Sequence, residues 1–523
     1  MTQSPLAVAK AQLSAGQLKA AYDGALQQLA HDRQDGGAWG VMALVALEGG
    51  NAAKAVELSA KALELGDQDP RTLMGRGRAL LSVGERREAR QVAERLSELS
   101  LEDPLDLDTV GVLFVRTGRT DRALPYFRRA VNAEPGNAQF VYNLATGLQF
   151  AGALTEARIV FTDLLARHPD FHRARLALVQ LESPSADKLV SLEARFSETR
   201  GADAKLLIGH AAANVAERLG DIEQAYSWLI SAKAEKRSVT SYDAAWVDRL
   251  FAASLARAHR MQDGIARQRV ADINPAPLFV VGMPRSGTTL TDRILSSHDS
   301  IMSAGELSDV ALIAKRLSGL PGAYALTPES LAAEVDAAAM AAGYRRVVMD
   351  FAADKGNDLV VDKMPLNFFY VPHILAALPE ARIIMVRRDP RDVVIANYRQ
   401  LFATEFGYYD YSYDVDWTAH FVSRFNDLAD AYRGLFAGPR YQEVKYEDLV
   451  SDQEAESRKL IEFAGKNWDP EVLNFHRNSA PVSTASSVQV RSPIHTRSVG
   501  RWKDYQAVGA DVEAALARHE TCN

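Results

Sequence analysis

The stretch PLFVVGMPRSGTTLTDRILSS, residues 277–297, decides the fold of the second half of the chain. It begins with the apolar run 278–281, which is typical of a buried parallel strand. Leu290, Ile294 and Leu295 then recur at helical spacing. The glycine-containing turn between these segments therefore lies where a strand passes into a helix. Backbone N–H groups and a helix N-terminus can bind a phosphate group at such a position.

The turn has the glycine spacing of the Gly-x-x-x-x-Gly-Lys-Ser/Thr phosphate loop, at Gly282 and Gly287, with Thr289 at the final hydroxyl position. The lysine position is occupied by Thr288. Because that lysine reaches the outer phosphates of a nucleoside triphosphate, its replacement argues against ATP or GTP hydrolysis. Arg285 instead places a cation inside the loop.

Residues 282–290, GMPRSGTTL, resemble the 5′-phosphosulfate loop of sulfotransferases that use 3′-phosphoadenosine 5′-phosphosulfate (PAPS). The alternative is an ordinary turn that opens a helix. The resemblance implies that the loop binds the cofactor through Pro284, Arg285, Ser286, Gly287, Thr288 and Thr289.

Length, composition and charge limit the possible classes of protein. With 523 residues, 47% of them hydrophobic, the chain is long enough for two or more domains. Its net charge of −7 argues against a broad nucleic-acid or acidic-membrane surface. The single cysteine, Cys522, argues against a disulfide framework or a thiolate metal cluster. The N-terminus lacks a secretion signal and no apolar run reaches membrane-spanning length, so we expect a soluble, cytoplasmic protein.

Glycines recur every 34 residues in the first half of the chain, and an alanine follows each of them five residues later. These pairs lie at positions 16 and 21, 50 and 55, 84 and 89, 118 and 123, 152 and 157, and, two periods on, 220 and 225. A helix–turn–helix period of this length resembles tetratricopeptide repeats. Such repeats stack into a solenoid with an extended concave surface. We therefore expect residues 1–240 to bind a peptide or protein partner or to self-associate; a spacer or stabilising platform is the alternative.

The remainder of the chain alternates candidate strands with helical segments. Residues 241–272 keep a helical periodicity and predict a connector. Two prolines, in NPAP, then mark the start of the second domain, residues 273–523. The candidate strands predict a parallel sheet that binds ligands at the carboxyl ends of its strands. The expected fold is thus an all-α tetratricopeptide-like solenoid followed by an α/β, P-loop-like sulfotransferase domain. The strands expected in its central sheet are 277–282, 358–363, 381–388 and 441–446.

Arg387, Arg388 and Arg391, in MVRRDPRDVVIANYRQ, cluster at the end of one of these strands, which favours anion recognition over surface salt bridges, the alternative. The segment resembles the 3′-phosphate element of sulfotransferases, which implies that Arg388 binds that phosphate. Cytosolic relatives have a serine eight residues later, where this chain has Ala396. Asn397 and Arg391 are the candidates to replace it.

Glu306 is the candidate general base. It follows Arg285 by 21 residues, and this spacing resembles that of tyrosylprotein sulfotransferases, in which the corresponding glutamate deprotonates the acceptor hydroxyl. As an alternative, Ser303 and Glu306 form the Ser-x-x-Glu pattern of a capping box that opens the next helix. His298 is a rival base, although a lone histidine after a helix is more often structural.

Further catalytic and nucleotide-binding candidates follow from the same resemblance. The segment DKMP resembles the family's catalytic lysine element, and Lys363 there can stabilise charge on the sulfuryl group and the leaving oxygen. In VKYEDL, Tyr446 corresponds to a tyrosine that approaches the nucleotide. Residues 484–505 resemble a C-terminal element in which Ser486 lies near the transferring group and Arg501 contacts the phosphate end of the nucleotide.

The sequence thus predicts a PAPS-dependent sulfotransferase that acts on a hydroxyl acceptor without a metal ion. The acceptor stays open between peptide or protein tyrosine, a sugar and a small metabolite. The tyrosine-rich stretch 407–417 is interpreted as a lid, a self-sulfation segment or an aromatic loop that leads into a helix near Val415. The alternatives to a sulfotransferase are a non-enzymatic repeat adaptor with a decayed transferase domain and a nucleotide kinase or triphosphatase.

Overall fold

The computed structural model describes residues 4–320, 325–353, 357–404, 407–478 and 492–519. The chain divides into two compact units, Met1–Leu181 and Glu182–Asn523.

The described part of the first unit consists of eleven helices, each packed against the next in sequence. They are α1 (Pro5–Ser14), α2 (Leu18–His31), α3 (Gly36–Glu48), α4 (Ala52–Glu64), α5 (Pro70–Ser82), α6 (Arg86–Ser97), α7 (Pro104–Arg116), α8 (Thr120–Ala133), α9 (Ala138–Phe150), α10 (Leu154–Arg167) and α11 (His172–Leu181).

The repeated glycines and alanines have the structural roles that their spacing predicts. Each repeated glycine lies in a turn between two helices with φ between +73° and +86°, a region that glycine enters without steric cost. Each repeated alanine is at most 1% exposed, because a small side chain is needed where paired helices cross closely. The prediction of tetratricopeptide-like repeats is confirmed. These glycines are Gly16, Gly50, Gly84, Gly118 and Gly152, and the alanines are Ala21, Ala55, Ala89, Ala123 and Ala157.

The second unit begins with four further helices, α12 (Ala186–Glu198), α13 (Ala202–Arg218), α14 (Ile222–Val239) and α15 (Ala244–Arg267). Gly220, with φ of +89°, and the buried Ala225 repeat the same pattern between α13 and α14. These helices belong to the same compact unit as the sheet. The domain boundaries at residues 240 and 272 stay predictions.

Five parallel strands form the central sheet in the order β2-β3-β1-β4-β5. The four predicted strands are confirmed. The short edge strand β2 was not predicted, because only its first residue, Ile301, is buried and it carries no apolar run. The strands are β1 (Ala276–Gly282), β2 (Ile301–Gly305), β3 (Leu359–Asp362), β4 (Arg382–Arg387) and β5 (Tyr441–Lys445).

Helices cover both faces of this sheet. Phe279 and Val281 of β1 enter one apolar cluster, whereas Leu278 and Val280 enter another on the opposite face. The α-helices that follow β1 are α16 (Thr288–Leu295), α17 (Asp309–Ser318), α18 (Pro328–Ala332), α19 (Ala337–Ala353), α20 (Val371–Ala377), α21 (Pro390–Tyr398), α22 (Val415–Phe436), α23 (Tyr446–Ser451), α24 (Gln453–Phe463) and α25 (Gln506–His519). Short 3₁₀ helices span Pro365–Tyr370, Gly407–Tyr413, Pro470–Arg477 and Arg501–Asp504.

The register of the sheet brings several candidate residues to one edge. Gly282, the last residue of β1, pairs with Val386 of β4, and Gly305 of β2 pairs with Asp362 of β3. The segments that follow these strands, which carry the loop, Glu306, Lys363 and Arg388, therefore emerge side by side. Across the described residues, no helix is both long and apolar enough to cross a membrane.

Candidate active site

The loop between β1 and α16 has a backbone that requires glycine at two positions. A Cβ atom at Gly282 would lie 2.5 Å from the carbonyl oxygen of Val386. At Gly287, where φ is +111°, a Cβ atom would lie 2.6 Å from Cδ2 of Tyr446. Arg285, between them, is the non-glycine residue of the loop with a positive φ, +66°. The loop is thus held in one tight path at the N-terminus of α16.

Arg285 lies within a concentration of positive charge. Burial, together with the guanidinium groups of Arg399 and Arg388, lowers the pKa of Arg285 to about 10. The group still carries its charge at neutral pH. The neighbourhood of the loop therefore favours an anion.

Arg388 connects the loop to the C-terminal part of the chain. Its Nη1 donates to the carbonyl oxygen of Arg285 at 3.0 Å, and its Nη2 donates to that of Ser498. The guanidinium group also lies over the ring of Tyr446, 4.6 Å from its centre. The two predicted residues Arg388 and Tyr446 therefore lie together against the loop.

A cavity of about 120 Å³ opens at this position. Its volume is below the roughly 300–1,000 Å³ of typical ligand pockets, so a nucleotide requires the surrounding residues to move. Among the described residues, four arginines line it: Arg285, Arg388, Arg399 and Arg501. The other lining residues include Gly287, Thr288, Thr289, Asp392, Ala396, Tyr446 and the C-terminal residues 492–495 and 498.

The C-terminal side of the cavity is fastened to α21 through one buried carboxylate. Asp392 accepts hydrogen bonds from the backbone N–H groups of Gly500, at 2.8 Å, and Trp502, at 2.9 Å. Arg388, which lies 3.7 Å from the same carboxylate, holds Ser498. These contacts keep residues 498–502 against the cavity.

The other two arginines of the MVRRDPR segment make different contacts. Arg387 pairs with Asp430 at 3.1 Å and with Glu443 at 3.3 Å. Arg391 pairs with Asp389 at 2.7 Å and lies over the ring of Trp502, 4.4 Å from its centre. Neither residue lines the cavity described above.

Asn397 supports the loop from behind. Its Nδ2 donates to the carbonyl oxygen of Pro284 at 2.8 Å and to that of Val393 at 2.9 Å. Its Oδ1 accepts from the hydroxyl group of Tyr411 at 2.9 Å. The side chain is fully buried and its hydrogen-bonding groups are used within the protein, so its contact to a ligand stays a prediction.

Glu306 and Lys363 meet directly. Nζ of Lys363 donates to Oε1 of Glu306, and the two side chains are 1% and 38% exposed, respectively. The backbone also joins them, because the N–H of Lys363 donates to the carbonyl oxygen of Gly305 at 2.8 Å. The two predicted catalytic residues, 57 positions apart, thus form one ion pair at the edge of the sheet.

Asp362, buried next to Lys363, organises the backbone around this pair. It accepts hydrogen bonds from the hydroxyl group of Tyr344 at 2.6 Å, from Nδ2 of Asn367 at 3.2 Å and from the N–H of Leu307 at 3.4 Å. The last of these bonds fixes the residue that follows Glu306. Asp362 therefore restricts the position from which Glu306 can act.

The capping-box alternative for Glu306 is wrong. Ser303 lies within β2, where its hydroxyl accepts from the N–H of Gly305 at 3.1 Å, and α17 begins only at Asp309. A strand that continues to Gly305 leaves no helix start for Ser303 to cap.

His298, the rival base, is engaged in structural contacts. Its Nδ1 accepts from the N–H of Ser300 at 3.2 Å, and its Nε2 lies 3.0 Å from the carbonyl oxygen of Asn467. These contacts join the turn after α16 to the segment that follows α24, which is consistent with the structural interpretation of this histidine.

The tyrosine-rich stretch forms a short helix that leads into α22. Gly407–Tyr413 forms a 3₁₀ helix, and α22 then begins at Val415 as predicted. Burial raises the pKa of Tyr409, with smaller contributions from Tyr408 and from the charge of Glu306. Tyr409 is therefore near enough to the candidate base for its pKa to respond to the charge of Glu306.

Sequence reasoning did not identify three polar residues of this region: Asp392, Arg399 and Glu217. A signal existed for two of them, because Asp392, Ala396 and Arg399 recur at helical spacing and share the face of α21 that lines the cavity. No pattern in the sequence around Glu217 indicated a role at the cavity. Ser486 lies outside the described residues. No cluster of His, Cys, Asp and Glu side chains suited to a metal ion is found in the described part of the chain.

Comparison with known proteins agrees with this architecture. A model described as the sulfotransferase family matches residues 277–470, and a tetratricopeptide-repeat model matches residues 114–181. The chain therefore carries a sulfotransferase-family domain and tetratricopeptide repeats, and sulfuryl transfer is the general activity of that family.

The individual relatives share less than a third of their residues with this chain. An uncharacterised protein of Aquifex aeolicus (strain VF5) is 29% identical over 73% of this chain and 51% of its own length. A protein-tyrosine sulfotransferase of Drosophila melanogaster is 25% identical over 45% of this chain and 49% of its own. The chain thus spans about half the length of each relative. The sulfotransferase domain of the Synechococcus PCC 7002 olefin synthase is 21% identical, with a TM-score of 0.33, over 47% of this chain and 98% of that domain.

Proposed function

We propose that this protein transfers a sulfuryl group from PAPS to a hydroxyl acceptor. The observation that carries the proposal is the arginine-lined cavity at the glycine loop, with Arg285 and Arg388 in contact at its base. A helix N-terminus and several guanidinium groups together favour an anion that carries more than one charge. PAPS has such charges at both ends of its ribose.

Hydrogen-bonding capacity supports the fit. Within the described residues, no hydrogen-bond partner is present for the buried Oγ of Ser286, Nε of Arg388 or Nε of Arg399. A buried polar group without a partner costs about 1–3 kcal/mol. Phosphate and sulfate oxygens would satisfy these groups, so the loop and Arg388 would hold the two anionic ends of the cofactor. Tyr446, already in contact with Gly287 and Arg388, would lie against the nucleotide.

Glu306 and Lys363 would divide the chemistry between them. PAPS supplies the sulfuryl group and a bisphosphate leaving group. Glu306 would accept the proton of the acceptor hydroxyl as that oxygen attacks sulfur in line, which contributes about 10²–10⁴-fold in typical general-base catalysis. Lys363, buried and cationic, would stabilise negative charge on the leaving side. Their ion pair would keep both groups oriented before the acceptor arrives.

Tyrosine in a peptide or protein is the acceptor that we favour. The 21-residue spacing between Arg285 and Glu306 and the similarity to a protein-tyrosine sulfotransferase support it. The tetratricopeptide repeats would recruit the acceptor protein. A sugar or small hydroxylated metabolite uses the same residues equally well and is the alternative.

Two measurements test the proposal. Isothermal titration calorimetry with adenosine 3′,5′-bisphosphate, the desulfated product of PAPS, is expected to show binding. Incubation with ³⁵S-labelled PAPS and tyrosine-containing peptides, sugars or fractionated cell extract is expected to label one acceptor class. Bisphosphate binding without transfer to any fraction would favour the non-enzymatic adaptor, and the absence of binding would refute PAPS as the donor.

A further inference from the structure

Glu217 contacts two of the arginines that line the cavity. It lies in the last turn of α13, and its carboxylate accepts hydrogen bonds from Nη2 of Arg399 and from Nη2 of Arg501. All three side chains are about three-quarters buried, with exposed fractions of 23%, 22% and 29%. One carboxylate therefore pairs with two guanidinium groups and offsets part of their positive charge in a partly desolvated position.

This carboxylate comes from a helix that precedes the matched sulfotransferase residues, 277–470. Its two partners come from different elements that line the cavity, Arg399 from the end of α21 and Arg501 from the C-terminal segment. Glu217 thus joins three separate parts of the second unit at the cavity.

The charge balance around the cavity makes this contact consequential. Arg399 and Arg388 both disfavour the charged form of Arg285, which shows that the arginines repel one another. Asp392 lies 3.7 Å from Arg388, and Glu217 forms ion pairs with Arg399 and Arg501. A carboxylate at this position offsets the repulsion, and a bound nucleotide would offset it in the same way.

We propose that Glu217 is an internal counter-anion of the nucleotide pocket. It forms ion pairs with Arg399 and Arg501, which would otherwise be free to bind an anionic nucleotide. It thereby lowers the affinity of the pocket for that nucleotide. Both arginines line the cavity, so their pairing with Glu217 competes with their use by a bound nucleotide. The inference rests on the proposed function, since it concerns the same pocket.

The test is a titration of the 523-residue chain with adenosine 3′,5′-bisphosphate at two salt concentrations. Glu217→Gln keeps the shape and one acceptor oxygen but removes the charge, so we expect binding to tighten about three- to tenfold at low salt and less at high salt. Arg399→Gln is expected to weaken binding about tenfold, and Arg399→Lys to weaken it less. In the Arg399→Gln background, the gain from Glu217→Gln should shrink, because one of the two partners is gone.

Glu223→Gln is the matched control. This exposed carboxylate lies in the first turn of α14, outside the cavity, and its substitution should leave bisphosphate affinity within about twofold. If the wild-type protein binds the bisphosphate and Glu217→Gln binds it equally well or more weakly, this inference is overturned and the proposed function is not. A wild-type protein that fails to bind would overturn the proposed function and this inference with it.

Discussion

Lys363 holds Glu306 from a position that solvent barely reaches: the lysine side chain is 1% exposed and the glutamate side chain 38%. The exposed partner can meet an acceptor while the buried partner stays in place. Because one residue follows β2 and the other follows β3, the pairing of these strands sets their separation. Under the proposed function, this arrangement would give two roles, proton acceptor and fixed cation, to one ion pair.

Glu306→Gln tests the first role. The amide cannot accept the acceptor's proton, so we expect kcat for sulfuryl transfer to fall about 10²–10⁴-fold. Bisphosphate affinity, measured by calorimetry, should stay within about threefold, because Glu306 does not line the arginine-rich cavity. Glu329→Gln, an exposed acid of α18, is the control and should behave as the wild type. Full activity of Glu306→Gln would rule out the general-base assignment.

Arg387 and Arg388 form a natural matched pair. Arg388→Ala removes a guanidinium group that lines the cavity and is expected to weaken bisphosphate binding at least about tenfold, with a smaller dependence on salt. Arg387→Ala removes a neighbour that pairs with Asp430 and Glu443 instead. Its affinity should stay within about twofold of wild type. Equal losses in both variants would contradict the separation of their roles.

Gly287→Ala tests the close approach between the loop and Tyr446. The new Cβ would lie 2.6 Å from that ring at φ of +111°, so the loop must shift. We expect bisphosphate affinity to fall about tenfold or more. Separately, the backbone strain should lower the free energy of unfolding by about 1–2 kcal/mol.

The control for this variant is Gly319→Ala. Gly319 also has a positive φ, +65°, but no described atom lies within 4 Å of its added Cβ. Thermal unfolding should show a loss of stability for both variants, larger for Gly287→Ala because of its less favourable φ and the nearby ring of Tyr446. Calorimetry should show a loss of affinity only for Gly287→Ala. Unchanged affinity in Gly287→Ala would argue that the path of the loop does not matter for binding.

Asp108, in the first unit, predicts a pH dependence of stability. Burial raises the pKa of its carboxyl group to about 6, although Nδ2 of Asn143 donates to it at 2.9 Å. An unfolded aspartate titrates near pH 4, so the folded state binds the extra proton between about pH 4 and 6. The stability of the first unit should therefore fall as pH rises through this window.

Asp108→Asn removes this ionisation. We expect the variant to be about 1–3 kcal/mol more stable than wild type at pH 7.5, with a smaller advantage at pH 5, in thermal or denaturant unfolding. Asp23→Asn, an exposed acid of α2, should show no such difference between the two pH values. An advantage of Asp108→Asn that is equal at both pH values would refute the ionisation mechanism.

The sequence by itself determined the features that depend on local repetition. The 34-residue spacing of Gly16, Gly50 and their successors predicted the helical repeats, because a left-handed turn and a close helix crossing each demand a small residue at a set position. The stretch 277–297 predicted a strand from its apolar run, a helix from its apolar residues at helical spacing, and a loop from the glycines between them. The resemblance to sulfotransferases then indicated Arg285, Glu306, Lys363 and Arg388 as site residues.

Only the tertiary structure decided which charged groups meet. Arg387, Arg388 and Arg391 look alike in the sequence, yet Arg388 alone of the three lines the cavity, because strand and helix geometry aims neighbouring side chains in different directions. Glu217 reaches Arg399 and Arg501 across 182 and 284 positions of chain. Contacts of that kind depend on how helices pack onto a sheet, and no periodicity within a single segment encodes them.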